Sequence, residues 1–290
     1  MTKVLVIGSE GQLGQDIKSS HTVINNCNFH FTSIESLNVT DQQAIKNTIE
    51  ADNYDYIINC TAYTAVDKAE EETILANEIN HIALKIIGEV SASTNSKVIH
   101  VSTDYVFDGK QHRPYIESDD TCPNSVYGKT KLQGEQELLN SNSNSIIVRT
   151  SWLYSIYGNN FVKTMIRLGT EREQLGVIFD QVGTPTFSND LANVILHIIN
   201  CDIDQSIPFS SGIYHYSNEG VCSWYDFTLA IHQLNNISCK VLPIETKDYP
   251  TAAPRPHYSV LNKGKIKDIY KIQIPYWKDS LKKCIKELNS

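Results

Sequence analysis

The sequence predicts an α/β chain built on a doubly wound parallel sheet, with a smaller α/β domain beside it. Three observations carry this. Short aliphatic runs alternate with stretches of helical spacing at least five times between residues 3 and 151. That alternation is the pattern of a parallel sheet with helices on both faces. The first run ends in a glycine-rich turn. After about residue 153 the pattern weakens and proline-rich loops enter. The expected division is a first domain over 1–153, with part of 183–200 returning to it, and a second, interleaved domain over 154–290.

KVLVIG (3–8) is a β-branched and aliphatic run, as expected of a strand buried on both faces. EGQLGQDIKSS (10–20) follows with helical spacing, and FHFTS (29–33) is a weaker second strand. In TDQQAIKNTIE (40–50), Thr40 is followed three residues later by Gln43, a capping-box spacing that predicts a helix start. YDYIINC (54–60) is the third strand. A long helix is expected over 66–93, with Ile74, Leu75, Ile79, Ile82, Leu84, Ile86 and Ile87 on its apolar side. KVIHVS (97–102) and SIIVRTS (145–151) are the fourth and fifth strands; between them a helix runs from about Asn124. Beyond, 157–173 reads as a helix, 176–186 as a strand and turn, and 189–200 as a helix. The last ninety residues mix short strands with loops, and 250–260 is too rich in proline to be regular.

Composition excludes several classes. A net charge of -8, with no basic stripe, argues against a nucleic-acid partner, whose phosphates need one. No apolar run approaches a membrane span, and the N-terminal run is too short for a signal peptide. The cysteines at 27, 60, 122, 201, 222, 239 and 284 are odd in number and form no CxxC, so free thiols in a reducing compartment are expected. A cytoplasmic protein is the expectation, without a metal site. The EEE run at 70–72 reads as a solvated helix face and is given no role.

GSEGQLG places Gly8, Gly11 and Gly14 between a strand and a helix. Such glycines can serve a tight turn, close approach of a pyrophosphate, and close helix–sheet contact. The helix N-terminus adds free N–H groups and the positive end of the helix dipole. A plain strand–helix turn would also account for three glycines. Within YGKTK, Tyr127 and Lys131 lie four apart and would share a helix face. A phenol titrates near ~10, and a neighbouring ammonium favours its phenolate, which suits it to proton transfer. A surface pair is the bland alternative. VSTDYVF closes the fourth strand at the carboxyl edge, where Ser102 and Thr103 offer hydroxyls; a strand-end cap would use them too.

Eight segments together resemble the dTDP-4-dehydrorhamnose reductase family of extended short-chain dehydrogenases/reductases: GSEGQLG, NCTAYTAVDKAEEE, VSTDYVF, SVYGKTKLQGE, VRTSWLY, GNNFVKTM, DQVGTPT and APRPHYSVL. They span residues 3 to about 262. The glycine turn and Y-x-x-x-K are shared by many relatives; STDYVF, RTSWLY and DQVGTPT are narrower. The resemblance implies a Rossmann-like fold and NADPH- or NADH-dependent reduction of the C4 ketone of a dTDP-sugar. Tyr127 would be the proton donor, Lys131 its tuner and ribose ligand, and Thr103 the catalytic hydroxyl. Gly8, Glu10, Gly11, Gln12, Leu13 and Gly14 would follow the diphosphate and ribose. Asn38 and Val39 would lie near the adenine, where the family often has aspartate, and Ala62, Tyr63 and Thr64 would line the cofactor. Asp104, Tyr105, Trp152 and Arg255 would face the dTDP-sugar. Trp152 as a core aromatic and Arg255 as a surface arginine are the bland alternatives. Glu35 beyond the second strand, with no arginine beside it, favours NADH. Asp104 is followed by Tyr105 rather than glutamate, which counts against a dehydratase. An epimerase, another nucleotide-sugar reductase, or a regulatory subunit of a methionine adenosyltransferase remain rival readings, and a homodimer is an allowed assembly.

Overall fold

The computed structural model describes all 290 residues. The first half alternates as expected: β1 (Thr2–Ile7), α1 (Gln12–Ser20), β2 (Cys27–Thr32), α2 (Gln42–Glu50), β3 (Tyr56–Asn59), α3 (Val66–Ala69), α4 (Thr73–Asn77), α5 (Ala83–Ser93), β4 (Lys97–Thr103), α6 (Val126–Ser141) and β5 (Ser145–Thr150). Then come β6 (Leu153–Tyr154), α7 (Phe161–Glu171), β7 (Gln174–Ile178), β8 (Val182–Gly183), β9 (Thr186–Phe187), α8 (Ser188–Ile203), β10 (Gly212–His215), β11 (Cys222–Ser223), α9 (Trp224–Leu234), β12 (Lys240–Ile244), α10 (Gly264–Tyr270) and α11 (Trp277–Leu288). The main sheet has the order β10-β5-β4-β3-β1-β2, and every pairing in it is parallel.

Strand periodicity divides the core in two. Val4 and Val6 of β1 point to a layer shared with Ile58, Ile99, Val148 and the apolar side of α8. Leu5 and Ile7 point to the opposite layer, with Ile45, Ile57, Leu84, Val98, Ile147 and Leu138. Each such fully buried aliphatic side chain contributes roughly 1.5–3 kcal/mol, so both faces must be covered for the sheet to exist. After β1 the chain goes to β2 on one side, and later crosses to β3 on the other. That reversal opens a crevice at the carboxyl ends of β1 and β3.

Several boundaries differ from the sequence reading. The cap of α2 is Asp41, not Thr40: its carboxylate accepts from the Gln43 and Ala44 N–H groups, which a charged oxygen does better than a hydroxyl. The stretch 66–93 is not one helix. It breaks at Glu70–Glu72, restarts at Thr73 and passes through a π turn over Glu78–Ile82. The wider turn rotates the preceding face, so Ile74 and Leu75, expected on the apolar side, are exposed. The acidic run has work to do: Glu70 Oε1 accepts from the Val126 N–H at the start of α6. The strand and turn expected over 176–186 begin at Gln174 and resolve into β7, β8 and β9.

The remaining elements, apart from α8, β10 and α10, form a second core. Tyr154, Val162, Phe187, Phe227, Trp277 and Leu281 are buried together under α7, α9 and α11. The short pair β7–β12 is parallel and β8–β11 antiparallel. No helix is long and apolar enough to cross a membrane, and all seven cysteines are free thiols.

Candidate active site

The glycine turn sits where β1 hands over to α1. Gly8 has φ +81, and a Cβ there would lie 2.6 Å from Thr61 Cγ2. A Cβ on Gly14 would meet the Gly8 carbonyl oxygen at 2.3 Å, so this glycine lets α1 press onto its own turn. Gly11, the N-cap of α1, is different. Its absent side chain has nothing nearer than the Gly8 oxygen at 3.6 Å, so the main chain stands open to a ligand. The Leu13 side chain is buried in the sheet core, which leaves its main chain for any ligand. The Gln12 Oε1 accepts from Asn160 Nδ2 at 3.0 Å, and Glu10 is exposed. An open glycine at a helix N-terminus beside the crevice fits a dinucleotide diphosphate.

Around the crevice, Asn38 is exposed with its Oδ1 capping Thr40, while Val39 is buried in the core. Glu35 is exposed. Ala62, Tyr63 and Thr64 follow β3. The Asn80 side chain fixes Tyr63 by accepting from its N–H at 2.8 Å and donating to its carbonyl at 3.2 Å. The Tyr63 hydroxyl donates to Glu72 at 2.6 Å.

Thr103 ends β4 and Tyr127 lies in the first turn of α6, whose cap is the Ser125 hydroxyl. Burial pushes the Tyr127 phenol up to about 12; the Thr103 hydroxyl beside it works the other way, and the Asp104 charge adds to the rise. Thr103 Oγ1 donates to Asp104 Oδ1 at 3.0 Å. Asp104 is buried with Oδ2 unpartnered, and its carboxyl is raised to about 6 by that burial. The Tyr105 ring meets the Tyr127 ring edge-on at 5.5 Å. Lys131 is buried one turn further on. Its Nζ donates to the Val101 carbonyl at 2.8 Å and stands 2.9 Å from His100 Nε2. Burial pushes Lys131 down to about 8, although Glu135 opposes this. No direct hydrogen bond joins Lys131 to Tyr127. Glu135 is itself held by Arg149 at 2.6 Å, both side chains being fully enclosed.

Next to Tyr105 a cavity of about 690 Å³ opens between the sheet edge and the second core. Tyr105 and Arg255 line it. Arg255 makes a two-pronged ion pair with Asp67, at 2.9 and 2.7 Å. Trp152 does not line the cavity. It has φ +49 and stacks on Trp224 with ring centroids 3.5 Å apart, and Trp224 forms the wall. Sequence reasoning missed Asp67, Phe161, Arg172, Gln174, Trp224 and Tyr249, which also line the space. Asp67 and Phe161 lay inside quoted motifs and Arg172 at the end of the 157–173 helix; Gln174, Trp224 and Tyr249 come from segments with no such signal. No group of three or more His, Cys, Asp or Glu side chains is arranged to hold a metal.

The family model described as RmlD substrate binding domain matches residues 1–290. A dTDP-4-dehydrorhamnose reductase of Aggregatibacter actinomycetemcomitans is 39% identical, over 97% of this chain and 98% of the relative. The crystal structure of a dTDP-4-dehydrorhamnose reductase from Clostridium acetobutylicum superposes with a TM-score of 0.93 at 41% identity, covering 100% of both chains. One from Bacillus anthracis, solved in complex with NADP, gives 0.91 at 37% identity over 99% of this chain and 100% of that one. The chain belongs to this family, an oxidoreductase family of the extended short-chain dehydrogenase/reductase fold.

Proposed function

We propose that this member of the dTDP-4-dehydrorhamnose reductase family reduces the C4 ketone of dTDP-4-dehydro-6-deoxy-L-mannose to dTDP-L-rhamnose, using NADPH or NADH. The observation that carries the reading is a convergence. Thr103 and Tyr127 lie side by side at the carboxyl edge of the sheet, Lys131 is buried one turn along α6, and Tyr105, whose ring packs on Tyr127, lines the 690 Å³ cavity. A proton donor and a hydroxyl between a dinucleotide cradle and a mainly apolar cavity with a few charged and polar groups is what carbonyl reduction needs.

A bound nicotinamide supplies the hydride. The work of the chain is to hold and to protonate. Gly8, Gly11 and Gly14, with the main chain of Glu10, Gln12 and Leu13, would take the diphosphate; Asn38, Val39, Ala62, Tyr63 and Thr64 would border the rest of the dinucleotide. Tyr127 keeps its proton at neutral pH because burial disfavours the phenolate. It can therefore donate to the sugar oxygen as negative charge develops there. The Thr103 hydroxyl would share that oxygen, and Lys131 would tune the phenol and hold the nicotinamide ribose. Asp104, Tyr105 and Trp152 would shape the sugar end, Trp152 by fixing Trp224. Arg255 would face the diphosphate of the dTDP group, since a planar guanidinium suits two oxygens at once. Both nicotinamide forms belong to the proposal: Glu35 favours NADH, while the Bacillus anthracis relative was solved with NADP. The domain division we propose assigns α8, β10 and α10 to the sheet unit and the rest beyond 153 to the substrate unit.

The test is oxidation of NADPH and of NADH, followed by nicotinamide absorbance, with and without the dTDP-keto-sugar. Sugar-dependent turnover is expected. Cofactor binding with no turnover on this sugar would overturn the substrate assignment.

A further inference from the structure

A run of hydrogen bonds enters the site from behind Lys131, and its polarity is fixed at one end. The Thr61 main-chain N–H can only donate, and it points at Asn59 Oδ1 at 3.1 Å; the Thr61 hydroxyl donates to the same oxygen at 2.5 Å. Asn59 must therefore turn its NH2 the other way, towards His100 Nδ1 at 3.1 Å. That NH2 needs a lone pair, so Nδ1 carries no proton. A neutral imidazole then carries its proton on Nε2, the atom 2.9 Å from Lys131 Nζ. An ammonium has three donors and no acceptor, so an ammonium opposite an Nε2–H would set donor against donor. An uncharged amine has a lone pair to accept it, and still donates to the Val101 carbonyl.

We propose that His100 is a positioning residue for Lys131. The Thr61–Asn59–His100 chain presents an N–H to Nζ and so favours the uncharged amine of Lys131 over its ammonium in the free protein. For a reductase this is useful, since a weaker positive charge draws the phenol less towards phenolate and the phenol is the group that must give a proton away.

The surroundings agree. Asn59, His100 and Lys131 are all buried, so water is not at hand to relieve a mismatch. The groups that act on Nζ are His100 and the Val101 carbonyl on β4 and the Glu135 charge on α6; Tyr127, one turn earlier on α6, makes no hydrogen bond to it. The Glu135 carboxylate is turned to Arg149 on β5. Burial depresses the basicity of both His100 and Lys131, and the Lys131 charge lowers His100 further, while Glu135 opposes the fall of Lys131. The Asn59 main chain favours a protonated His100 ring, but the ring nitrogen has the Asn59 NH2 as its hydrogen-bond partner. The arrangement stands independently of the substrate; only its catalytic use rests on the function proposed above.

The test begins with nitrogen NMR of the ligand-free, full-length protein carrying labelled histidine, the His100 signals being assigned with His100→Gln. Nε2 protonated and Nδ1 bare at neutral pH is the expected result. A proton on Nδ1, or on both nitrogens, overturns the proposal, and this needs no destabilising variant. A second measurement titrates labelled lysine side chains, with Lys131 identified by its loss in Lys131→Met. Asn59→Asp keeps the shape but accepts from both sides, so His100 must reverse and offer Lys131 a lone pair. The Lys131 midpoint should rise by about one pH unit or more. In Asn59→Asp/His100→Phe that rise should vanish. A rise that survives there is plain Coulomb attraction across the site, and the proposal falls. Absence of turnover on the keto-sugar with the expected tautomer would instead sink the proposed substrate and leave this inference standing.

Discussion

Replacing Lys131 by methionine should stabilise the protein while removing its activity. Methionine keeps most of the apolar stem and discards the charge. The folded protein lowers the lysine from its ordinary 10.5 to about 8 through burial. A base whose folded value is depressed binds its proton more weakly in the native state. Stability is therefore reduced at all pH values below about 8 and recovers as the pH rises from about 8 to about 10.5. At neutral pH the penalty is about 3 kcal/mol, at roughly 1.4 kcal/mol per pH unit. The variant loses the hydrogen bonds to Val101 and His100, each worth about 1 kcal/mol, which leaves a net gain of about 1–2 kcal/mol. A chain of this length unfolds with an entropy of roughly 0.6 kcal/mol per degree, so Tm should rise by about 2–3 °C at pH 7. Calorimetry at pH 7 and again near pH 10 is the assay, and the gain should shrink or reverse at the higher pH. A Tm lowered by the same amount at both pH values would refute the reasoning, because the charge would then not be what the fold resists.

Tyr127→Phe should leave fold and cofactor binding intact and lower turnover by about 10²–10⁴, the usual worth of a positioned acid, measured by steady-state kinetics. Near-normal turnover would remove Tyr127 as the donor. Gly11→Ala should fold normally, since its Cβ has space, yet weaken NAD(P)H binding in fluorescence titration. Gly14→Ala should instead destabilise the fold, because its Cβ would lie 2.3 Å from a main-chain oxygen. Equal stability losses in the two would contradict the division of labour within the turn. Glu135→Gln strands the buried Arg149 charge and should cost about 3–5 kcal/mol in urea unfolding; a loss below about 1 kcal/mol would mean that water reaches the pair.

The five strands of the first half were legible because a strand covered on both faces has to be apolar along its length, and KVLVIG, YDYIINC and SIIVRTS are. The sixth strand, GIYH at 212–215, was not separated from the mixed strands and loops of the last ninety residues. It is an edge strand, only four residues long, with Gly212 at φ +131. The 66–93 helix looked continuous because glutamate, threonine and alanine all tolerate helix; its break goes with what Glu70 and Glu72 bind, Val126 and Tyr63 respectively, and the first of these lies 56 residues away. The same distinction runs through the site. Gly8, Tyr127 and Lys131 announce themselves by local spacing. Asp67 and Arg255 do not, because their pairing joins positions 188 residues apart.

That long-range pair bears on how the two halves of the site work together. Asp67 stands on α3, on the sheet side of the cavity, and Arg255 on the proline-rich segment that closes the other side. Asp67 Oδ1 also accepts from the Ala253 N–H. One carboxylate thus fastens the 250–260 segment to the sheet unit. Arg255 holds the carboxylate below its usual range, so the tie persists at neutral pH. A diphosphate arriving at Arg255 must either share the guanidinium with Asp67 or displace it. Sharing would keep the segment in place, whereas displacement would loosen one wall as the ligand binds. The Arg255 side chain is largely buried, about 20% exposed, while Asp67 is 46% exposed. The exposed partner is the cheaper one to return to water, since its desolvation is the lesser part of the pair. Ligand binding is therefore expected to act on Asp67 first, leaving Arg255 where the cavity wall already holds it.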